Sequence, residues 1–366
     1  MSKTEYQLPT VRFSRDTSGF SRELRKRIDA YFQEHGGNHN ANAFMVFKTV
    51  FYFTLLFLPW SLMAFGTLGT GWMFWTAYLV MGFGLAGIGM NVMHDANHKA
   101  YSKKKWVNTV ISRSIEFIGG NAEMWRIQHN VLHHSFTNID GLDEDINPGP
   151  ILRFSPLKPL YKIHRFQYVY AWFFYGLMTL VWAIHKDFVQ LIDYKKRGLL
   201  KRSGGKFGWL LALMIVTKLG FYGYTMFLPM AYSGAGVGQV IGGWLLMHFV
   251  AGVLLGIIFQ PAHVMEDHDY FPAEKGALIE ADPLTHQINT TSNFGNKSKL
   301  LTFFAGGLNF QIEHHLFPYV CHVHYPKLSP IVRKTADEFG VEYRNDASYW
   351  QALCLHGSQL KKLGRA

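Results

Sequence analysis

The chain has 366 residues, enough for two or three soluble domains by length alone, yet 49% are hydrophobic, 16% aromatic and only 17% charged. The apolar residues collect in long uncharged runs, which excludes an ordinary soluble protein and points to an integral membrane protein built of bilayer-spanning helices. The 36 Lys and Arg exceed the 25 Asp and Glu by 11, and most of that excess lies between the apolar runs, as in cytoplasmic loops facing anionic lipid; nucleic acid is a poor second reading.

Residues 1–42 form a polar leader with no signal-peptide pattern. Its segment 21–32 suits a surface helix, and the HGGNHN stretch at 35–40 reads as a loop. From residue 43 onward the chain reads as a single membrane domain. Residues 43–65 and 71–92 are apolar, each near the roughly 20 residues that cross a bilayer, and the turn between them is short and uncharged. HDANH (94–98) follows the second run, and Lys99, Lys103, Lys104 and Lys105 come at once. Those lysines place this end of the run in the cytoplasm. Residues 106–120 are amphipathic but too short to span, so they are expected to lie along the interface before HNVLHH (129–134).

Three more apolar segments follow at 166–184, 209–232 and 237–262. If all three crossed, a third histidine cluster, QIEHH (311–315), would lie on the opposite face from the first two. Segment 166–184 is rich in Trp, Tyr and Phe and is flanked on both sides by Lys and Arg. It is therefore the candidate interfacial or re-entrant helix. The expected fold is all-α, with about four transmembrane helices, both termini inside, and a cytoplasmic helical cap over residues 263–366 that contains an amphipathic helix at 328–339.

Residues four apart share one face of a helix, so His94 with His98 and His129 with His133 each make a two-nitrogen claw for a transition metal, and His134 adds a neighbouring donor. With His314 and His315 the set reaches seven, more than one ion needs, which suggests two metal ions. A pair of irons can activate dioxygen and break an unactivated C–H bond, which no side chain does alone. Cys321 and Cys354 form no CxxC and no disulfide framework. Asp95, Glu313, Asp143 and Asp145 are candidates to fix imidazole tautomers, the last two competing with a reading as solvated loop charges. His164, His185 and His248 read as structural or interfacial, and His322 and His324 as supports of the site.

HDANH, HNVLHH and QIEHH, in this order and separated by membrane spans, strongly resemble the three histidine boxes of the membrane fatty acid desaturases. Gln311 in place of the first histidine of the third box resembles the front-end subgroup, which inserts double bonds between an existing one and the carboxyl end. The resemblance extends from about the first span through the tail, including the stretch 293–328.

It implies that His94, His98, His129, His133, His134, His314 and His315 hold a di-iron centre, joined by a histidine at the cytoplasmic end of the last span. His263 occupies that place, with His286 as its rival, and Gln311 serves as a weak ligand or a hydrogen-bond donor behind the ligands. The implied activity is dioxygen-dependent formation of a cis double bond in a fatty acyl chain. Carried as acyl-CoA or acyl lipid, that chain would be of the linoleoyl, delta-6-like type. The fused haem domain with an HPGG motif, frequent in eukaryotic front-end enzymes, has no match; the nearest string, HGGN at 35–38, lacks the proline. Electrons are therefore expected from a separate ferredoxin or cytochrome, and a bacterial inner-membrane enzyme is expected. The competing readings are a membrane hydroxylase on the same scaffold and, from another class, a polytopic metal-binding or transport protein, which would place polar ligands at midspan.

Overall fold

The computed structural model describes residues 11–274, 276–346 and 348–365. Among them, four helices are long and apolar enough to cross a membrane: span 1 (Ala43–Ala64), span 2 (Trp72–Asn97), span 3 (Phe207–Tyr232) and span 4 (Val237–His263). Asn42 opens span 1 by accepting the Met45 N–H at 3.0 Å, which satisfies one of the free donors of the first turn. Span 2 is central, with 67% of its most apolar stretch buried against 22% for span 1 and 28% for span 3.

Small residues let span 2 approach its neighbours, as is usual where lipid supplies no hydrophobic drive for helix association. A Cβ on Gly84 would lie 2.6 Å from the Leu56 nitrogen of span 1, and one on Gly82 would lie 2.7 Å from the Met247 carbonyl of span 4.

The segment expected to stay out of the bilayer is a broken helix, Lys162–Gly176 followed by Met178–Lys196, bent by 53°. Its corner packs on span 4, where a Cβ on Gly252 would meet the Tyr175 and Gly176 carbonyls at 2.6 Å. Its second arm is tied to span 3 by Lys218. That buried ammonium donates to the carbonyls of Gly119 (2.9 Å), Trp182 (2.7 Å) and Ala183 (3.1 Å), and it pairs with Asp187 at 2.9 Å. A charge inside an apolar span is thus fully partnered, as burial requires.

Two sequence expectations shift. Span 2 runs on to Asn97 instead of ending near residue 92, because a wide π turn over Ile88–Met93 carries the helix directly into the first histidine box. The leader helix is Phe20–Glu34, and it is not merely a surface element. Phe20, Leu24 and Ile28 are buried in one cluster with Leu328, Val332 and Ala336 of the helix Tyr325–Glu338. The leader therefore completes the core of the helical cap. Among the described residues, strand structure is confined to three parallel two-residue pairs, Arg12–Phe13 with Leu278–Ile279, Ile139–Asp140 with Phe271–Pro272, and Asn293–Phe294 with Asn345–Asp346. They pin the leader and loops to the cap.

Candidate metal centre

Each histidine is delivered by a helix end. Span 2 brings His94 and, at its C-cap, His98. The short helix Ala122–Trp125, capped by the Asn121 side chain, runs into a π-helical segment, Arg126–His133. In a π turn residues five apart close the hydrogen bond, and the His134 N–H reaches the His129 carbonyl at 2.9 Å. The wider turn brings His129, His133 and His134 to one side, which an ideal α-helix would not do for adjacent residues. Span 4 ends in His263. The helix Gln311–Leu316 carries His314 and His315, and its first turn is fixed by Asn293, whose Oδ1 accepts the Ile312 N–H at 2.9 Å.

The imidazoles fall into overlapping groups. His94, His98, His129 and His314 form one, His133, His263 and His315 a second, and His134 joins them through His314 and His315. Within each group one nitrogen per residue lies within 4.8 Å of all the others. His134 Nε2 is 3.2 Å from His129 Nε2 and 3.0 Å from His314 Nε2. Two nitrogens about 2.1 Å from one ion and at right angles around it lie about 3 Å apart, so this spacing suits a shared cation.

Four of the outer nitrogens are occupied. His133 Nδ1 donates to Asp143 (3.0 and 3.1 Å), His129 Nδ1 to Asp145 (3.2 Å), His315 Nδ1 to the Gln287 carbonyl oxygen (2.6 Å), and His314 Nδ1 to the Tyr325 hydroxyl (3.3 Å). Holding the proton on Nδ1 leaves the Nε2 lone pair facing inward. On that inner side the Nε2 atoms of His94, His98, His133, His263 and His315 are buried without a partner among the described residues. Five orphaned acceptors converging on one space are costly unless a cation fills it, so the residues fit a metal centre. Burial, reinforced by neighbouring imidazoles, holds His98, His129, His134, His314 and His315 well below the ordinary imidazole value. They are neutral at pH 7, the form that binds metal. For His133 the burial effect is outweighed by Asp143 and Asp145, which raise it. Trp125 packs 4.4 Å from the His129 ring and Phe259 4.9 Å from His263, closing the site with apolar walls.

Of the two rivals, His263 lies in the cluster and His286 does not; the latter's Nε2 donates to the Thr137 carbonyl at 2.9 Å, and its ring rests on Phe13 and Phe271. Gln311 is fully buried, and neither of its side-chain polar atoms has a partner among the described residues. Glu313 faces away from the imidazoles, accepting from Asn293 (2.8 Å) and Tyr343 (2.7 Å), and burial pushes its carboxyl up to about 7. It positions the third-box helix rather than an imidazole. Asp95 accepts from His322 Nδ1 at 2.8 Å and lies 3.7 Å from His94 Nδ1.

The sequence reading passed over Lys48, Gln287, Trp125 and Phe259. Lys48 is buried near the start of span 1 and donates to His322 Nε2 at 2.7 Å, completing a Lys48–His322–Asp95 line that ends beside the first box. A lone lysine inside an otherwise apolar run was the available signal, since a charge there demands a partner.

A family model described as fatty acid desaturase matches residues 70–347. The chain is 35% identical over 353 residues to the sn-1 linoleoyl-lipid 6-desaturase of Synechocystis sp., covering 95% of this chain and 96% of that one. It is 32% identical over 347 residues to the protein of the same name from Arthrospira platensis, covering 94% and 92%. With the acyl-lipid (8-3)-desaturase of Physcomitrium patens it shares 32% identity over 349 residues, which is 93% of this chain and 71% of the other.

Proposed function

Because the chain belongs to the fatty acid desaturase family, we propose that it is a front-end desaturase of lipid-bound acyl chains, with two iron ions held by His94, His98, His129, His133, His134, His263, His314 and His315. The observation that carries the metal assignment is the inward-facing set of buried, unpartnered Nε2 atoms. The substrate class rests on relatives named for linoleoyl-lipid and acyl-lipid desaturation, similar along nearly the whole of this chain.

When bound, an iron pair supplies dioxygen activation, the chemistry needed to remove hydrogen from unactivated methylenes. Two hydrogens leave neighbouring carbons, two electrons and two protons come from outside, and dioxygen leaves as two waters. The chain's own residues do the rest. Asp143, Asp145, Gln287 and Tyr325 keep the ligating rings in one tautomer. Trp125 and Phe259 exclude water from the cluster. A cavity of about 530 Å³, lined mainly by apolar side chains of span 2, span 4 and the broken helix, reaches His94 and His129 and receives the acyl chain. The electrons come from a separate ferredoxin- or cytochrome-type donor.

The membrane arrangement follows the lysines. The four spans leave both termini and all histidine boxes on the cytoplasmic side, and the broken helix enters without crossing, as in a bacterial inner membrane. A cysteine placed at Lys195 is expected to react with a membrane-impermeant maleimide only after the cytoplasmic face is opened; labelling from the outer face would overturn this arrangement.

The function is tested by expressing the chain in a host fed linoleate or oleate and locating double bonds by mass spectrometry. A new cis double bond on the carboxyl side of an existing one is expected. A hydroxylated acid without a new double bond would contradict the reading.

A further inference from the structure

The cavity beside the histidines is apolar along most of its wall but polar at one edge, formed by Gln128, Glu144, Asp145 and Lys186. Among the described residues Lys186 is the one lysine or arginine that lines it. Its ammonium donates to Gln128 Oε1 at 2.6 Å and to Gln190 Oε1 at 3.1 Å, and stands 5.0 Å from the Trp182 ring, also part of the wall. An ammonium has three N–H donors; two are thus used within the protein, and one is left for an acceptor in the cavity.

The same edge is tied to the metal side. Gln128 donates to Asp145, whose other oxygen accepts from His129 Nδ1 at 3.2 Å. Three hydrogen bonds therefore lead from Lys186 to an imidazole of the cluster. The charge balance selects the ligand. Glu144 is already paired with Arg197 at 2.6 Å and Asp145 offsets Lys186, so an anion such as a phosphate or a free carboxylate would find no net positive charge at this edge to offset its desolvation. A neutral carbonyl oxygen accepts from the ammonium without that penalty.

Building on the desaturase reading, we propose that Lys186 binds the ester carbonyl of the acyl chain and so seats its carboxyl end at the polar edge next to the metal cluster. The first carbons of the chain then lie against His94 and His129, and the methyl end runs into the apolar remainder between span 2, span 4 and the broken helix. A bond formed near the carboxyl end follows from this seating. Lys186 is a substrate-binding residue that fixes where along the chain the bond forms.

The test uses the full chain in membranes of an expressing host, with K186M, K186R and the unaltered protein. Without the charged donor, K186M is expected to lose at least about tenfold in product, or to spread the new bond over neighbouring carbons, while its metal content stays at the unaltered level. K186R is expected to keep the single bond position. The loss is expected equally on uncharged galactolipids and on phospholipids. An independent arm needs no variant: a substrate whose chain is linked as an alkyl ether, lacking the carbonyl, is expected to lose a similar factor with the unaltered protein. Wild-type yield and bond position in K186M, equal use of ether and ester, or a loss confined to phosphate-bearing lipids would each overturn the assignment. An unaltered protein that makes no double bond on the ester would instead refute the desaturase reading itself.

Discussion

Replacing His314 by alanine is expected to lower desaturation by more than about a hundredfold and to reduce the bound iron. Loss of residues merely supporting metal ligands commonly costs ten- to a hundredfold, and His314, like His315, belongs to two of the overlapping groups. Its Nε2 is 3.0 Å from that of His134, and its ring centre is 4.6 Å from that of His94. Truncation therefore opens both halves of the cage at once. Mass-spectrometric product analysis together with iron content on the purified variant checks this, with His286→Ala as the comparison. His286 donates to the Thr137 backbone carbonyl and belongs to none of the imidazole groups, and its alanine variant is expected to retain its iron. Full activity and iron in His314→Ala would remove the third box from the site.

The second large effect concerns stability. Lys48, His322 and Asp95 are each 1% exposed and form one hydrogen-bonded line. Removing one partner of a buried charge pair leaves the other uncompensated, at a cost of about 3–5 kcal/mol. Asp95→Asn strands the Lys48 ammonium among the rings of Phe44 and Phe303, 6.0 and 5.1 Å away. A large fall in the melting temperature of the detergent-solubilised protein is expected for Asp95→Asn. The double variant Lys48→Met with Asp95→Asn is expected to recover much of it, because the orphaned charge is gone. Purely additive losses would show that the three residues are not energetically coupled.

The histidine boxes were legible because their ligands are close in sequence and sit at helical spacing, so no tertiary information was needed to pair His94 with His98 or His129 with His133. The spans were legible from apolar length, and the need for all boxes to meet singled out the segment that emerges as a broken helix. Other features depend on contacts between distant parts of the chain. The π turns at Ile88–Met93 and Arg126–His133 leave no periodic trace, yet the first carries span 2 into His94 and the second decides that His133 and His134 both serve the cluster. Asp143 and Asp145 read equally well as solvated loop charges, and only the return of their loop onto the π helix places them against His133 and His129. Glu313 sits between box residues in sequence but turns toward Tyr343, because adjacent helical positions point in different directions. His322 and Lys48 are 274 residues apart and meet only in the folded chain.

The arrangement of imidazoles accounts for function only if it holds a pair of irons. The most direct measurement is elemental analysis of the purified, unaltered protein expressed with iron and zinc both available. Close to two irons per chain and little zinc are expected. One zinc per chain with no iron, or a protein free of metal yet able to desaturate, would contradict this.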